Sequence, residues 1–142
     1  MRIYFDTSFL SSLYAVDANT AAAVEAVQPI GAIRLVSQLT ELELRNALQL
    51  RVFRKELTPA SAQEAQSIWE KNVADGHFQV CPLPEAWLKR SHIISKKTTA
   101  RLGVRSLDLI HVASALELEA DALFSFDERQ RKLAREFKLN VN

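Results

Sequence analysis

Apolar and polar positions alternate along this chain with two different periods. Short runs around Arg2 to Phe5, Ile33 to Val36, Phe78 to Cys81 and Ala122 to Phe126 are apolar at most positions. The stretches between them are longer, and their apolar residues return every three or four positions. The first pattern is that of a strand covered on both faces, the second that of an amphipathic helix. Thr7 or Ser8 is placed to cap a short helix through Leu13 and Tyr14, and Asp17 and Asn19 punctuate the chain before an alanine-rich helix to about Val27. Pro29 and Gly31 break that helix ahead of the second strand. Ser37 and Thr40 are candidate caps for a helix carrying Leu42, Leu44, Leu48 and Val52. Thr58-Pro59 opens the next helix, which should reach about Ala74.

Asp75-Gly76 turns the chain into the third strand, closed by Pro82 and Pro84. A helix is expected from about Pro84 to Thr98. Gly103 interrupts the pattern and Ser106 restarts it, with Leu109, Val112, Ala113 and Leu116 at helical spacing. After the strand before Asp127 come a charged helix from Glu128 to Phe137 and a last strand at Leu139 to Val141. Strands alternating with helices predict an α/β domain over 1–142, with a central parallel sheet of four to five strands covered on both faces. The two long helices between the second and third strands should form an appended hairpin, suited to a clamp or a dimer surface.

Composition narrows the function. A chain of 142 residues, 48% of them hydrophobic, carries enough apolar surface for one core. With 18 basic against 17 acidic residues no global field draws it to nucleic acid or membrane, so any basic surface must be local. The single Cys81 has no disulfide partner within the chain and reads as a small core residue. With no charged leader ahead of the first strand, and no apolar stretch long enough to span a bilayer, the expectation is a cytoplasmic protein with no membrane role.

Four acids then stand out. Asp6 ends the first apolar run and Asp127 follows the last, which puts both at the carboxyl edge of the sheet, where ligands bind in open α/β folds. Glu43 and Asp108 lie near the starts of two helices and should face the same crevice. Two carboxylates about 4 Å apart repel by about 1 kcal/mol in bulk water and about 4 kcal/mol at an effective dielectric near 20, so such a cluster calls for protons or a divalent cation. Each acid also has a plainer reading. Asp6 and Asp127 suit helix caps, Asp108 suits the first turn of a helix, and Glu43 suits a solvated stripe. One shared site accounts for all four positions together.

The words around these acids are Ile3-Tyr4-Phe5-Asp6-Thr7-Ser8, Thr40-Glu41-Leu42-Glu43-Leu44, Leu107-Asp108-Leu109-Ile110-His111-Val112-Ala113-Ser114-Ala115, and Ser125-Phe126-Asp127 before a basic helix. In this order they resemble the PIN domain, in particular the VapC toxins, over essentially the whole chain. The resemblance implies a three-layer α/β/α sandwich and a metal-dependent endoribonuclease, the toxin of a VapBC-type toxin-antitoxin system. It maps the family's acids onto Asp6, Glu43, Asp108 and Asp127, and its supporting small polar residue onto Ser125. Ile110-His111 departs from the alanine-rich segment common after the third acid.

The chemistry agrees with the residue types. Phosphodiester hydrolysis needs an activated water and a stabilised leaving oxygen, and Mg²⁺ or Mn²⁺ on oxygen ligands supplies both. A zinc site would need Cys or His at ligand spacing, which is absent. A receiver domain would want an acid pair at the first strand and a late lysine, and a phosphatase an Asp-x-Asp motif; Asp6-Thr7-Ser8 and the late strand offer neither.

His111, one turn after Asp108, could touch the site or pack behind it, and Ser125 could hold a water or satisfy a strand end. Lys89, Arg90, Lys96, Lys97, Arg101 and Arg105, with no acid from Ala86 to Leu107, are either a solvated face or an RNA-binding rim, carried chiefly by Lys96, Lys97, Arg101 and Arg105. Trp69 and Trp87 read as core or subunit contacts. Leu10, Leu13, Tyr14, Leu48, Val52, Phe53 and Trp69 are expected to offer an apolar surface for an antitoxin or for a homodimer. The competing class is a catalytically silent PIN-like module that binds RNA or protein.

Overall fold

The computed structural model describes residues 1–28 and 31–142; the expected break at Pro29 lies outside them. In chain order the elements are β1 (Arg2–Phe5), α1 (Thr7–Tyr14), α2 (Thr20–Ala26), β2 (Ile33–Ser37), α3 (Gln38–Phe53), α4 (Pro59–Ala74), β3 (Gln79–Cys81), α5 (Trp87–Leu102), α6 (Ser106–Glu117), β4 (Ala122–Phe124) and α7 (Glu128–Glu136). The strands form one parallel sheet in the order β3-β2-β1-β4. β1 is therefore central, and its last three residues are buried.

The period of two in each strand divides the core. Ile3 and Phe5 join Phe9, Leu10, Leu44, Leu48 and Trp69 on one face of the sheet. Tyr4 points the other way, to Ile94, Val112 and Leu133. Val36 and Ala122 follow the first set, Leu35 and Leu123 the second. Helices α1, α3 and α4 cover one face and α5, α6 and α7 the other, giving the three layers expected. Cys81 is buried in the second cluster.

Several local expectations are corrected. The cap of α1 is Asp6, whose carboxylate accepts the Phe9 N–H, and neither Thr7 nor Ser8. Ser37 caps α3 by accepting the N–H of Thr40, so Thr40 is inside the helix. Helix α5 starts at Trp87, after a turn in which the Trp87 N–H meets the Pro84 carbonyl. It runs past Thr98 to Leu102 because Gly103, at φ +62°, supplies the left-handed residue that ends it. The last strand shrinks to one bridge between Ala122 and Asn140, since Lys138 at φ +63° turns the chain and brings only Asn140 alongside β4.

The α3–α4 pair is not an appendage. Trp69 is fully buried, with its ring 5.6 Å from Tyr14 and 5.3 Å from Phe78. Leu10 and Leu48 are likewise consumed by the core, and Leu13, Tyr14 and Val52 are packed against it. Of the apolar surface expected for a partner, only Phe53 stands free, 83% exposed.

Candidate active site

All four acids line one cavity of about 710 Å³ at the carboxyl edge of the sheet. Helix capping is what aims three of them. Asp6 leaves β1 and takes the Phe9 N–H at 3.0 Å and the Ser8 hydroxyl at 2.8 Å. Asp127 follows β4 and accepts from Arg129 N and Gln130 N at 2.8 and 3.2 Å. Asp108 reaches back from the third position of α6 to the Arg105 N–H at 2.8 Å, one arm of a capping box. The cap reading and the shared-site reading therefore hold together: the bond that satisfies a helix end also points a carboxylate into the crevice. Glu43 comes in from the second turn of α3.

Two bonded sets divide the site. In the first, His111 Nε2 lies 2.6 Å from Glu43 Oε2, and Thr7 Oγ1 donates to the same oxygen at 3.0 Å. His111 Nδ1 meets the Tyr4 hydroxyl at 3.0 Å, which is in turn 2.8 Å from Ser37 Oγ and 3.2 Å from Thr40 Oγ1. Burial works against a charge on the ring, but Tyr4, Glu43 and Asp6 outweigh it, and His111 is pushed up to about 10. With the ring protonated, each nitrogen donates, one to Glu43 and one to Tyr4. Burial also acts to raise Glu43, and the His111 and Thr7 bonds overcome it, so Glu43 sits below its ordinary value and is ionised. Asp6 goes the other way. Burial raises it, and the charge of His111 and bonds from Ser125, Phe9 and Ser8 recover only part of the shift.

In the second set Arg105 spans two acids. Its Nη2 is 3.1 Å from Asp127 Oδ2, and its Nε is 3.4 Å from Asp108 Oδ2. The Asp108 carboxylate is only 8% exposed and that of Asp127 33%, whereas the Arg105 side chain is 63% exposed.

The remaining expected residues scatter. Ser125 is fully buried, accepts the Asp127 N–H at 3.0 Å and lies 3.1 Å from Ser8 Oγ. Of the basic run only Arg105 reaches the crevice. Arg101 holds Glu136 through two bonds of 3.0 Å and, with Lys97, lines a separate cavity. Arg90 pairs with Glu117, and Lys96 is exposed. Sequence reasoning did not single out Tyr4 or Arg54, and read Thr7 only as a candidate helix cap. Tyr4 sits in an apolar run that reads as pure core. Arg54 lines the crevice from the end of α3, eleven positions after Glu43 on the same helical stripe, a spacing that was readable.

The family model of the PIN domain matches residues 3–136. The chain belongs to the PIN domain family. Among solved structures of similar fold is the VapC20 toxin of Mycobacterium tuberculosis, described as cleaving the Sarcin-Ricin loop. It has a TM-score of 0.68 and 19% identity, with 92% of this chain and 93% of that one covered. VapBC2 of Rickettsia felis, bound to a DNA fragment from its promoter, gives 0.70 at 12% identity, covering 100% and 98%. VapBC-1 of nontypeable Haemophilus influenzae gives 0.64 at 17%, covering 100% and 97%. At these identities the likeness concerns the PIN fold. No curated protein sequence matches.

Among the described residues no three Asp, Glu, His or Cys side chains converge closely enough to hold a metal ion as they stand. The donor set nevertheless suits a hard divalent cation, because four carboxylates offer only oxygens to one cavity. Each bonded set has its own counter-charge: His111 bonds Glu43, and Arg105 contacts both Asp108 and Asp127. Among the described residues no helix is long and apolar enough to cross a membrane.

Proposed function

We propose that this chain is a Mg²⁺- or Mn²⁺-dependent endoribonuclease and the toxin component of a VapBC-type pair, acting in the cytoplasm. The observation that carries this reading is the convergence of four acids, from four different elements of a PIN fold, on one crevice at the sheet's carboxyl edge. Asp6, Glu43, Asp108 and Asp127 would hold the ion, which supplies an activated water and charge for the departing oxygen at the phosphodiester. The rest falls to the chain itself. The caps fix Asp6, Asp108 and Asp127 in direction, and His111 keeps Glu43 ionised. Ser125 anchors the backbone of Asp127. Arg105, exposed and held by a weak pair, is free to leave the acids and take a substrate phosphate instead.

A protein partner fits the same chemistry. Arg105 shows that these acids accept a guanidinium, so a cationic side chain from an antitoxin tail can compete there for the acids. The Rickettsia felis and Haemophilus influenzae neighbours, named as VapBC, support such a partner. With Leu10, Leu48 and Trp69 spent on the core, the apolar surface left for an antitoxin or a homodimer includes Phe53, Val16 (81% exposed) and Leu42 (66%). The second reading, a silent RNA- or protein-binding module, is favoured by the internal cations already paired with Glu43, Asp108 and Asp127.

Cleavage of RNA in Mn²⁺ separates the two. The wild type should cut and EDTA should stop it, and Asp6→Asn, Glu43→Gln and Asp108→Asn should each abolish cutting with far-ultraviolet circular dichroism unchanged. A folded wild type that cuts no RNA in Mn²⁺ and does not slow growth when expressed in a bacterial host leaves the silent module as the better reading.

A further inference from the structure

Arginines in this protein are almost all committed. Arg45, Arg90, Arg101, Arg105, Arg131 and Arg135 meet carboxylates. Arg51 pairs with Glu56, and Arg2 and Arg129 donate to backbone carbonyls. Arg34 donates to the Val27 carbonyl. Among the arginines of the described residues Arg54 alone has no hydrogen bond or ion pair for its side chain. It lines the acid-bearing crevice at the end of α3, as Arg105 does from the start of α6, and also a smaller adjoining cavity that shares Ser11 and Ala47 with the first. The acids of that second cavity are occupied: Asp17 by Ser12 and Asn19, Glu56 by Arg51.

The position is set by the end of α3. Lys55 takes the left-handed conformation at φ +61°, its N–H bonds the Val52 carbonyl, and Glu56 N–H bonds the Arg51 carbonyl, which closes the helix with Arg54 as its last half-turn residue. Along the stripe from Glu43, eleven residues of helix place Arg54 roughly 16 Å from the acids' end of α3. It is therefore in the crevice but away from the reacting bond. A free guanidinium at that distance, shared by two adjoining cavities, suits a bidentate contact with a neighbouring phosphate.

Resting on the ribonuclease reading above, we propose that Arg54 is a second phosphate anchor for RNA, gripping the strand on the α3 side of the crevice away from the bond that is cut. Its contact is equal in the bound and transition states, so it sets binding and not turnover.

The test uses the non-cutting Asp6→Asn protein and a short fluorescein-labelled single-stranded RNA, with anisotropy read across a salt series. Adding Arg54→Ala should weaken binding roughly tenfold and lower the slope of log affinity against log salt by about one contact. Arg54→Lys should restore the slope but not the full affinity, because the charge returns without the fork. In the cutting background Arg54→Ala should raise KM and leave kcat in place. Unchanged affinity and salt slope overturn the proposal. A lowered melting temperature alone, with RNA binding intact, would assign Arg54 to the helix end, where a cation is favoured in any case. Unchanged RNA binding with weakened capture of a polyglutamate peptide would give the residue to an acidic protein partner instead. If the wild type cuts no RNA while the anisotropy results hold, the nuclease reading fails and the anchor survives.

Discussion

On the α1–α3 wall of the crevice the acids are balanced by a buried ring, and on the α6–α7 wall by a side chain that stands mostly in water. His111 is 5% exposed and locked at both nitrogens, by Glu43 and by a hydroxyl chain through Tyr4. Arg105 is 63% exposed; its side chain meets Asp127 at 3.1 Å, and its contacts to Asp108, at 3.4 and 3.5 Å, are at the edge of bonding distance. Removing one partner of a buried pair costs much because the other is left as an uncompensated charge, while an exposed pair contributes about 0–1 kcal/mol. The first wall is thus built into the fold. The second holds its cation loosely, so that on the function proposed above a metal ion or a partner's cation can take its place at the acids while Arg105 turns to a phosphate.

The largest effect should come from the buried wall. His111→Ala leaves Glu43 and the Tyr4 hydroxyl without their shared partner and should cost about 3 kcal/mol, read from urea unfolding. The same pair sets a pH dependence. His111 is raised in the fold to about 10 from an ordinary value near 6.5. Its contribution is therefore fully present below about pH 6.5 and is lost as pH rises toward about 10. Glu43 is lowered, so its share is present above its ordinary range and is lost as pH falls below it. Urea midpoints should decline on the alkaline side more steeply in the wild type than in His111→Ala. Equal slopes would detach the pair from stability.

A smaller effect separates cap from charge on the exposed wall. Asp127→Ala removes the acceptor for Arg129 N and Gln130 N and should cost about 1 kcal/mol. Asp127→Asn keeps an oxygen there and should unfold close to the wild type, yet bind Mn²⁺ more weakly. If both variants unfold alike, the cap is not what holds Asp127.

The contrast between the walls also explains how far the sequence could be read. Strand runs apolar at most positions made the parallel sheet legible, and acids after the ends of β1 and β4 made the crevice legible. Caps were legible as a class but not by residue: Asp6, Thr7 and Ser8 all suit an N-cap, and only the backbone turn after Phe5 selects Asp6. The basic run from Lys89 to Arg105 looked like one rim because the sequence does not show that Arg90 and Arg101 face Glu117 and Glu136, distant in the chain. Leu10, Leu48 and Trp69 looked like spare apolar surface for the same reason: how much of a helix face the neighbouring layer consumes is a tertiary fact. Tyr4 was hidden in an apolar run; His111 was readable as a residue near the site, but not its bond to Tyr4, which spans 107 positions.

A divalent-metal site on the four acids, with an exchangeable arginine on its exposed wall, is open to calorimetric titration of Mn²⁺ into the wild type, Asp108→Asn and Arg105→Ala. The wild type should bind, Asp108→Asn should lose binding, and Arg105→Ala should bind several-fold more tightly at little cost to stability. A wild type that binds no Mn²⁺, or an affinity indifferent to both substitutions, would contradict it.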